Sequence, residues 1–215
     1  LVDRLVSWAL SRLRTSPHHI LWLYGYVGCG KSAIAQTVAE RVAKPGRLGG
    51  SFFFFRASED RSSIAKFALT LAHQLCQSVP TVEPLIRTAL AKYPELLSPG
   101  AVDLSTQMRM LVYEPLAAAF SPRWSWPLKR PLLIIIDGLD ECKDHADVEE
   151  LIRDMVLHFR QNPFLPLRFL ICSRVEEHIR QHLQNEFVIL QNLADETPDA
   201  DILTFLQTIF SEEAK

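Results

Sequence analysis

The segment Gly25-Tyr26-Val27-Gly28-Cys29-Gly30-Lys31-Ser32 constrains the fold of this chain more than any other. It fits the spacing G-x-x-x-x-G-K-[ST] without a gap. An apolar run, Ile20 to Tyr24, leads into it, and a stretch free of helix breakers, Lys31 to Ala43, follows. Strand, glycine loop and helix in that order make a cradle for phosphate. The loop must turn its amides inward and come within touching distance of an anion. Gly25, Gly28 and Gly30 permit such backbone angles and remove the Cβ obstacle. The helix behind them offers free amides and the positive end of its dipole. Lys31 can reach the β and γ phosphates, and the Ser32 hydroxyl can ligate Mg²⁺. Tyr26, Val27, Cys29 and Ala33 complete the expected nucleotide-binding positions. Gly28-x-Gly30-x-x-Ala33 also matches a dinucleotide fingerprint. That fold wants an acid closing its second strand, where this chain has Arg56, and it gives Lys31-Ser32 no role.

The rest of the chain alternates short apolar runs with helical ones. Strands are expected at Ser51 to Phe55, Leu132 to Ile136, Leu167 to Cys172 and Phe187 to Leu190, besides Ile20 to Tyr24. Ser62 or Ser63 can cap a helix whose apolar positions are Ile64, Phe67, Ala68, Leu71 and Leu75. Helical stretches follow at about 81–92, 104–120 and 176–183, and Val148, Leu151, Ile152, Met155 and Phe159 line one face of another. Pro122 to Pro131 reads as a loop, in which Trp124 and Trp126 either mark a partner surface or fold back on the domain. Strands separated by helices imply an α/β fold with a parallel sheet. The expected architecture is the three-layer αβα sandwich of a P-loop NTPase, with a five-stranded parallel sheet. Its core spans 1–192, with 1–18 a helical lead-in. Residues 193–215 would begin a further helical domain, with Thr197-Pro198 as a helix start.

A second chemical signal is Leu132-Leu133-Ile134-Ile135-Ile136-Asp137-Gly138-Leu139-Asp140-Glu141. An apolar strand ending in Asp is the Walker B pattern. Asp137 would stand beside the phosphate loop and hold the metal with Ser32, directly or through water. Hydrolysis needs a carboxylate to orient or deprotonate water, and Asp140 or Glu141 can serve. Spacing does not choose between them. Three carboxylates within five residues repel one another unless a cation joins them. A third strand end, Phe169-Leu170-Ile171-Cys172-Ser173-Arg174, offers Arg174 as a reader of the γ phosphate, with Ser173 as helper. Arg56 is a weaker candidate for that role.

These three strand ends together resemble the NACHT family of signal-transducing P-loop NTPases, and in particular NACHT modules of fungal NOD-like receptors. The mark is Asp137-Gly138-Leu139-Asp140-Glu141, where a tiny residue follows the metal Asp and the acidic pair comes slightly later. Trp22-Leu23-Tyr24-Gly25, Ser51-Phe52-Phe53-Phe54-Phe55-Arg56 and Leu167 to Arg174 also look like that family. The resemblance covers about residues 1–210. It implies ATP/ADP binding with Mg²⁺, slow hydrolysis, and a nucleotide-gated switch that drives self-association of a full-length receptor. It implies effector and sensor domains, and a winged-helix segment, outside this chain. Tyr26 stands where many members have Pro.

Charge and composition narrow the alternatives. Lys plus Arg is 23 and Asp plus Glu is 25, a net −2, which argues against a general nucleic-acid binder. No run approaches the roughly 18 apolar residues of a membrane span, so no membrane partner is expected. Leu1 to Trp8 lacks the order of a signal peptide. The four cysteines show no metal or redox spacing. Reduced thiols and a cytoplasmic location are the simplest expectation. ATP is favoured over GTP because no Asn-Lys-x-Asp motif is present, and adenine contacts are expected around Val2 to Trp8. A small-molecule kinase would need phosphate-facing arginines in a lid, but those between 56 and 131 are scattered. The seven histidines show no metal spacing.

Overall fold

The computed structural model describes residues 1–98 and 100–196, with the backbone alone for residues 123, 127 and 128. The expected helix start at Thr197 and most of the expected further domain lie outside the described residues. Five strands, β1 (Ile20–Tyr24), β2 (Leu48–Phe53), β3 (Leu132–Asp137), β4 (Leu167–Ser173) and β5 (Val188–Asn192), form one sheet in the order β2-β3-β4-β1-β5. Every neighbouring pair is parallel. The fold is the expected α/β three-layer sandwich.

Right-handed crossovers decide which helix covers which face. The step from β1 runs toward the β2 edge, and every later step runs back toward the β5 edge. Therefore α2 (Lys31–Ala43) lies on one face, joined by α1 (Val2–Leu10). The helices after β2 lie on the other: α3 (Phe67–Ser78), α4 (Glu83–Lys92), α5 (Leu104–Met108), α6 (Glu114–Ala119), α7 (His145–Gln161) and α8 (Glu177–Leu183). The two-residue period of a strand divides the core accordingly. Leu132, Ile134 and Ile136 pack with α3 and α7, whereas Leu133 and Ile135 pack with Leu5, Val38 and Val42. Both faces of β3 and β4 are buried, which explains their unbroken apolar runs.

The last strand runs from Val188 to Asn192, not from Phe187 to Leu190, and the expected loop Pro122 to Pro131 holds a 3₁₀ turn, Arg123–Leu128. Three further segments depart more from expectation. β2 starts at Leu48 and ends at Phe53, not at Ser51 and Phe55. Gly49 and Gly50 are strand residues because α3 packs directly on them. A Cβ at Gly50 would meet the Gln74 side-chain oxygen at 2.7 Å. α3 starts at Phe67 without a serine cap, because the Ser63 hydroxyl instead donates to Asp144 at 2.7 Å, across the fold. The stretch 104–120 is α5 and α6 joined by a π turn, Arg109–Tyr113. Pro115 has no amide to continue the ordinary ladder, so the register changes just before it.

One buried polar group ties the lead-in to the sheet. Arg168, fully buried at the start of β4, donates to Ser11 Oγ at 2.9 Å and to the Ser16 carbonyl, and lies over the Trp8 ring. Burial pulls its guanidinium down to about 10. The Trp8 side of α1 is thus spent on packing. Trp126 also folds back, its indole donating to the Phe120 carbonyl at 3.1 Å, while Trp124 stays exposed. Among the described residues no helix is long and apolar enough to cross a membrane.

Candidate functional site

Parallel pairing brings three strand ends to one rim. Tyr24 is level with Ser173, and Asp137 with Cys172. Because β4 stands between β1 and β3, Arg174 emerges between the glycine loop and Asp137. The strand order reverses beside β1, and such a switch point is where parallel sheets bind ligands.

The loop enters α2 through Gly30, whose φ of +87° is a left-handed conformation that glycine adopts freely. No side chain caps the first turn of α2, so its amides face outward. Lys31 folds back over the loop. Its ammonium donates to the Gly25 carbonyl at 2.9 Å and the Tyr26 carbonyl at 2.8 Å. Its charge is thereby held at the loop mouth, near Asp137.

Asp137 is buried, and burial foremost pushes its carboxyl above the usual carboxylate range. The Ser32 hydroxyl beside it and the Lys31 charge oppose that rise, while the nearby Asp140 adds to it. A hydroxyl and a carboxylate suit a hard divalent cation such as Mg²⁺, which binds through oxygen and keeps places for water and phosphate. Among the described residues no group of three or more His, Cys, Asp or Glu side chains is arranged to hold a metal ion alone.

Gly138 turns the chain at once, with φ +67°, and leads into a short 3₁₀ turn, Leu139–Glu141. That turn separates the two candidate acids. Asp140 is buried and faces Arg174, accepting its backbone N–H at 2.9 Å and pairing with its guanidinium at 3.3 Å. Glu141 is less buried and accepts the Arg56 N–H at 2.9 Å, while the Arg56 guanidinium donates to the Asp140 carbonyl at 3.2 Å. Arg56 therefore braces the acidic turn. Ser173 is fully buried: its hydroxyl accepts from the Trp22 indole at 2.8 Å and donates to the Arg174 carbonyl at 2.8 Å. It fixes the backbone of Arg174 and does not line the cleft.

A cleft of about 340 Å³ lies between these groups, walled by Gly28, Gly30, Lys31, Ser32 and Ala33 on one side. Asp137, Asp140, Glu141 and Arg174 wall the other. A second cleft of about 430 Å³ adjoins it through Val27 and Arg174, and is lined by Gly25, Tyr26, Val175, Glu176 and Asn192. Cys29 lines neither; its thiol occupies the space a Cβ at Gly25 would take, at 2.9 Å. Of the positions expected to contact adenine, Leu5 and Trp8 are buried in the core, and no α1 residue lines either cleft among the described residues. Sequence reasoning missed Trp22, Val175, Glu176 and Asn192. A tryptophan inside an apolar strand was a usable signal, since a buried indole N–H needs a partner.

Comparison with known proteins gives one family. The family model described as "Nephrocystin 3, N-terminal" matches residues 5–174, from α1 to the arginine that closes β4. No curated protein matches the chain.

Proposed function

The chain belongs to the nephrocystin 3 N-terminal family, and from that premise and the site we propose that it is a nucleotide-binding module that takes Mg-ATP and Mg-ADP and hydrolyses ATP slowly. The observation that carries the reading is the shared rim. A phosphate-type loop, a buried Asp beside Ser32, and an Asp-tethered Arg174 surround one cleft. The finer reading is a NACHT-type switch of the kind found in fungal NOD-like receptors, in which nucleotide state governs assembly of a longer receptor for innate-immunity-type signalling. Its support is the Asp137 to Glu141 pattern. A cytoplasmic setting is part of the same proposal.

The residues divide the work. The loop amides and Lys31 take the β and γ phosphates, for which the ammonium leaves the carbonyls of Gly25 and Tyr26. Ser32 and Asp137 would hold Mg²⁺, which would supply positive charge to offset that of the phosphates. Arg174, its backbone fixed by Ser173 and its guanidinium by Asp140, points toward the γ position. Asp140 is thus a positioning residue, and Glu141 is the carboxylate left to orient water. The base and ribose take the second cleft, beside Tyr26 and Asn192.

Single-turnover hydrolysis together with equilibrium binding tests these roles. Glu141→Gln should slow turnover by about 10²–10⁴-fold and leave ATP affinity unchanged. Asp140→Asn should chiefly weaken the preference for ATP over ADP. Unchanged turnover in Glu141→Gln would remove the assigned role. A second reading is a nucleotide-dependent assembly scaffold with negligible hydrolysis. It is favoured by the engagement of both acids, Asp140 with Arg174 and Glu141 with Arg56. Tight binding by the parent chain with no turnover would select it.

A further inference from the structure

At the opposite end of the sheet, where β2 and β3 begin, Arg12, Arg47, Lys129 and Arg130 line one cleft with Phe120. Its volume is about 570 Å³, within the about 300–1,000 Å³ typical of small-molecule sites. The length of β3 puts it roughly 20 Å from Asp137, so a nucleotide on the glycine loop does not reach it. The chain brings these cations together from three separate connections: after α1, before β2 and before β3. The Arg47 guanidinium reaches the Arg130 carbonyl at 3.5 Å, which holds its charge at the start of β3. Lys129 donates to the Phe120 carbonyl at 2.6 Å and keeps its ammonium over that edge.

The four cations lack the carboxylate partner that six of the other arginines have. Arg4, Arg41, Arg87, Arg109, Arg174 and Arg180 each meet a carboxylate. Among the described residues no carboxylate pairs with Arg12, Arg47, Lys129 or Arg130. In a chain of net charge −2, four like charges converge here without an internal counter-charge. Convergence of this kind works against the folded state unless an anion offsets it. Planar guanidinium forks match phosphate oxygens in pairs, and a lysine adds a point charge. The cleft offers one apolar side chain, so it suits a compact, multiply charged anion better than the side chains of a peptide.

We propose that this cleft is a second anion site, distinct from the glycine loop, which binds a ligand carrying several phosphate groups. The test is binding of inositol hexakisphosphate to the 215-residue chain, to Arg12→Ser/Arg130→Ser, and to Lys31→Ala. Arg12 and Arg130 are exposed, so their replacement leaves the core intact. The double variant should lose at least tenfold in affinity and keep its ATP affinity, whereas Lys31→Ala should bind the probe as the parent does. Loss in Lys31→Ala alone would place the probe on the glycine loop and overturn the proposal. So would equal binding by all three proteins, absence of binding, or equally strong competition by poly-glutamate. Vesicles identify the source of the phosphates. Retention on phosphatidylcholine vesicles only when they contain phosphatidylinositol bisphosphate supports a lipid headgroup. No retention, with the soluble probe still bound, supports a free ligand. Equal retention on phosphatidylserine vesicles would reduce the site to diffuse charge and overturn it. Failure of ATP to bind the parent chain would sink the nucleotide reading and leave this one standing.

Discussion

A Cβ at position 138 would lie 2.9 Å from the Phe54 carbonyl oxygen, in a backbone whose φ is +67°. Gly138→Ala therefore meets both a clash with main chain and a disfavoured conformation. It should cost about 1–3 kcal/mol in urea unfolding and misplace Asp140 and Glu141 together. Its neighbour Asp137 behaves in the opposite sense. Burial raises its folded-state pKa above the unfolded one. The stability linked to this group is then full at acid pH and is lost as pH rises through the folded value. At neutral pH the ionised carboxylate works against the fold until a cation joins it. Asp137→Asn should accordingly raise the melting temperature of the nucleotide-free chain and abolish the extra stabilisation that the proposed function expects Mg-ATP to give the parent. A lower melting temperature for the variant without nucleotide would contradict this account. Residues of this kind were legible in the sequence because each follows from a spacing. The Asp140–Arg174 pair was not, since 34 positions separate its members and only the insertion of β4 between β1 and β3 joins them.

Helix α7 shows what periodicity reveals at the scale of an element and what it leaves out. Its apolar face, Val148 to Phe159, was readable from the sequence and is buried as expected. The role of its second histidine was not. His158 stacks on Tyr113 at 3.9 Å, and its Nε2 has no hydrogen-bond partner. Burial lowers its pKa to about 4. His19, stacked on Phe159 at 4.2 Å, is lowered too, again chiefly by burial. A histidine depressed in the folded state contributes stability that is full above its unfolded value, near 6.5, and is lost as pH falls toward the folded value. The chain should lose stability between pH 7.5 and pH 5, and His158→Phe should lose less over that interval in paired urea titrations. Equal losses would show that the ring accepts a proton without cost. The boundaries of β2 and α3 escaped sequence reasoning for a related reason. Glycines outside the expected strand are strand residues under a helix, and a serine that reads as a cap is committed to a distant aspartate. Both are decided by tertiary contacts that no local pattern encodes.

At the scale of the whole molecule, one parallel sheet separates two chemistries. The C-terminal ends of its strands collect the glycine loop and three acids, and the start of β2 and β3 collects unpaired cations. The fold class was legible because alternating apolar and amphipathic segments admit few arrangements, and the right-handed rule then fixes the faces. The strand order was not, and it is what assembles the rim. The account rests on that rim holding a nucleotide through its phosphates, and equilibrium binding tests it most directly. Fluorescent ATP, ADP and GTP, each with Mg²⁺, are titrated into the parent chain and into Lys31→Ala. One charge-assisted contact to phosphate amounts to about 1.5–3 kcal/mol. The parent should bind adenine nucleotides in preference to GTP, and Lys31→Ala should bind ATP roughly tenfold to a hundredfold more weakly. Equal ATP affinity in the two proteins, or no nucleotide binding by the parent, would contradict the account.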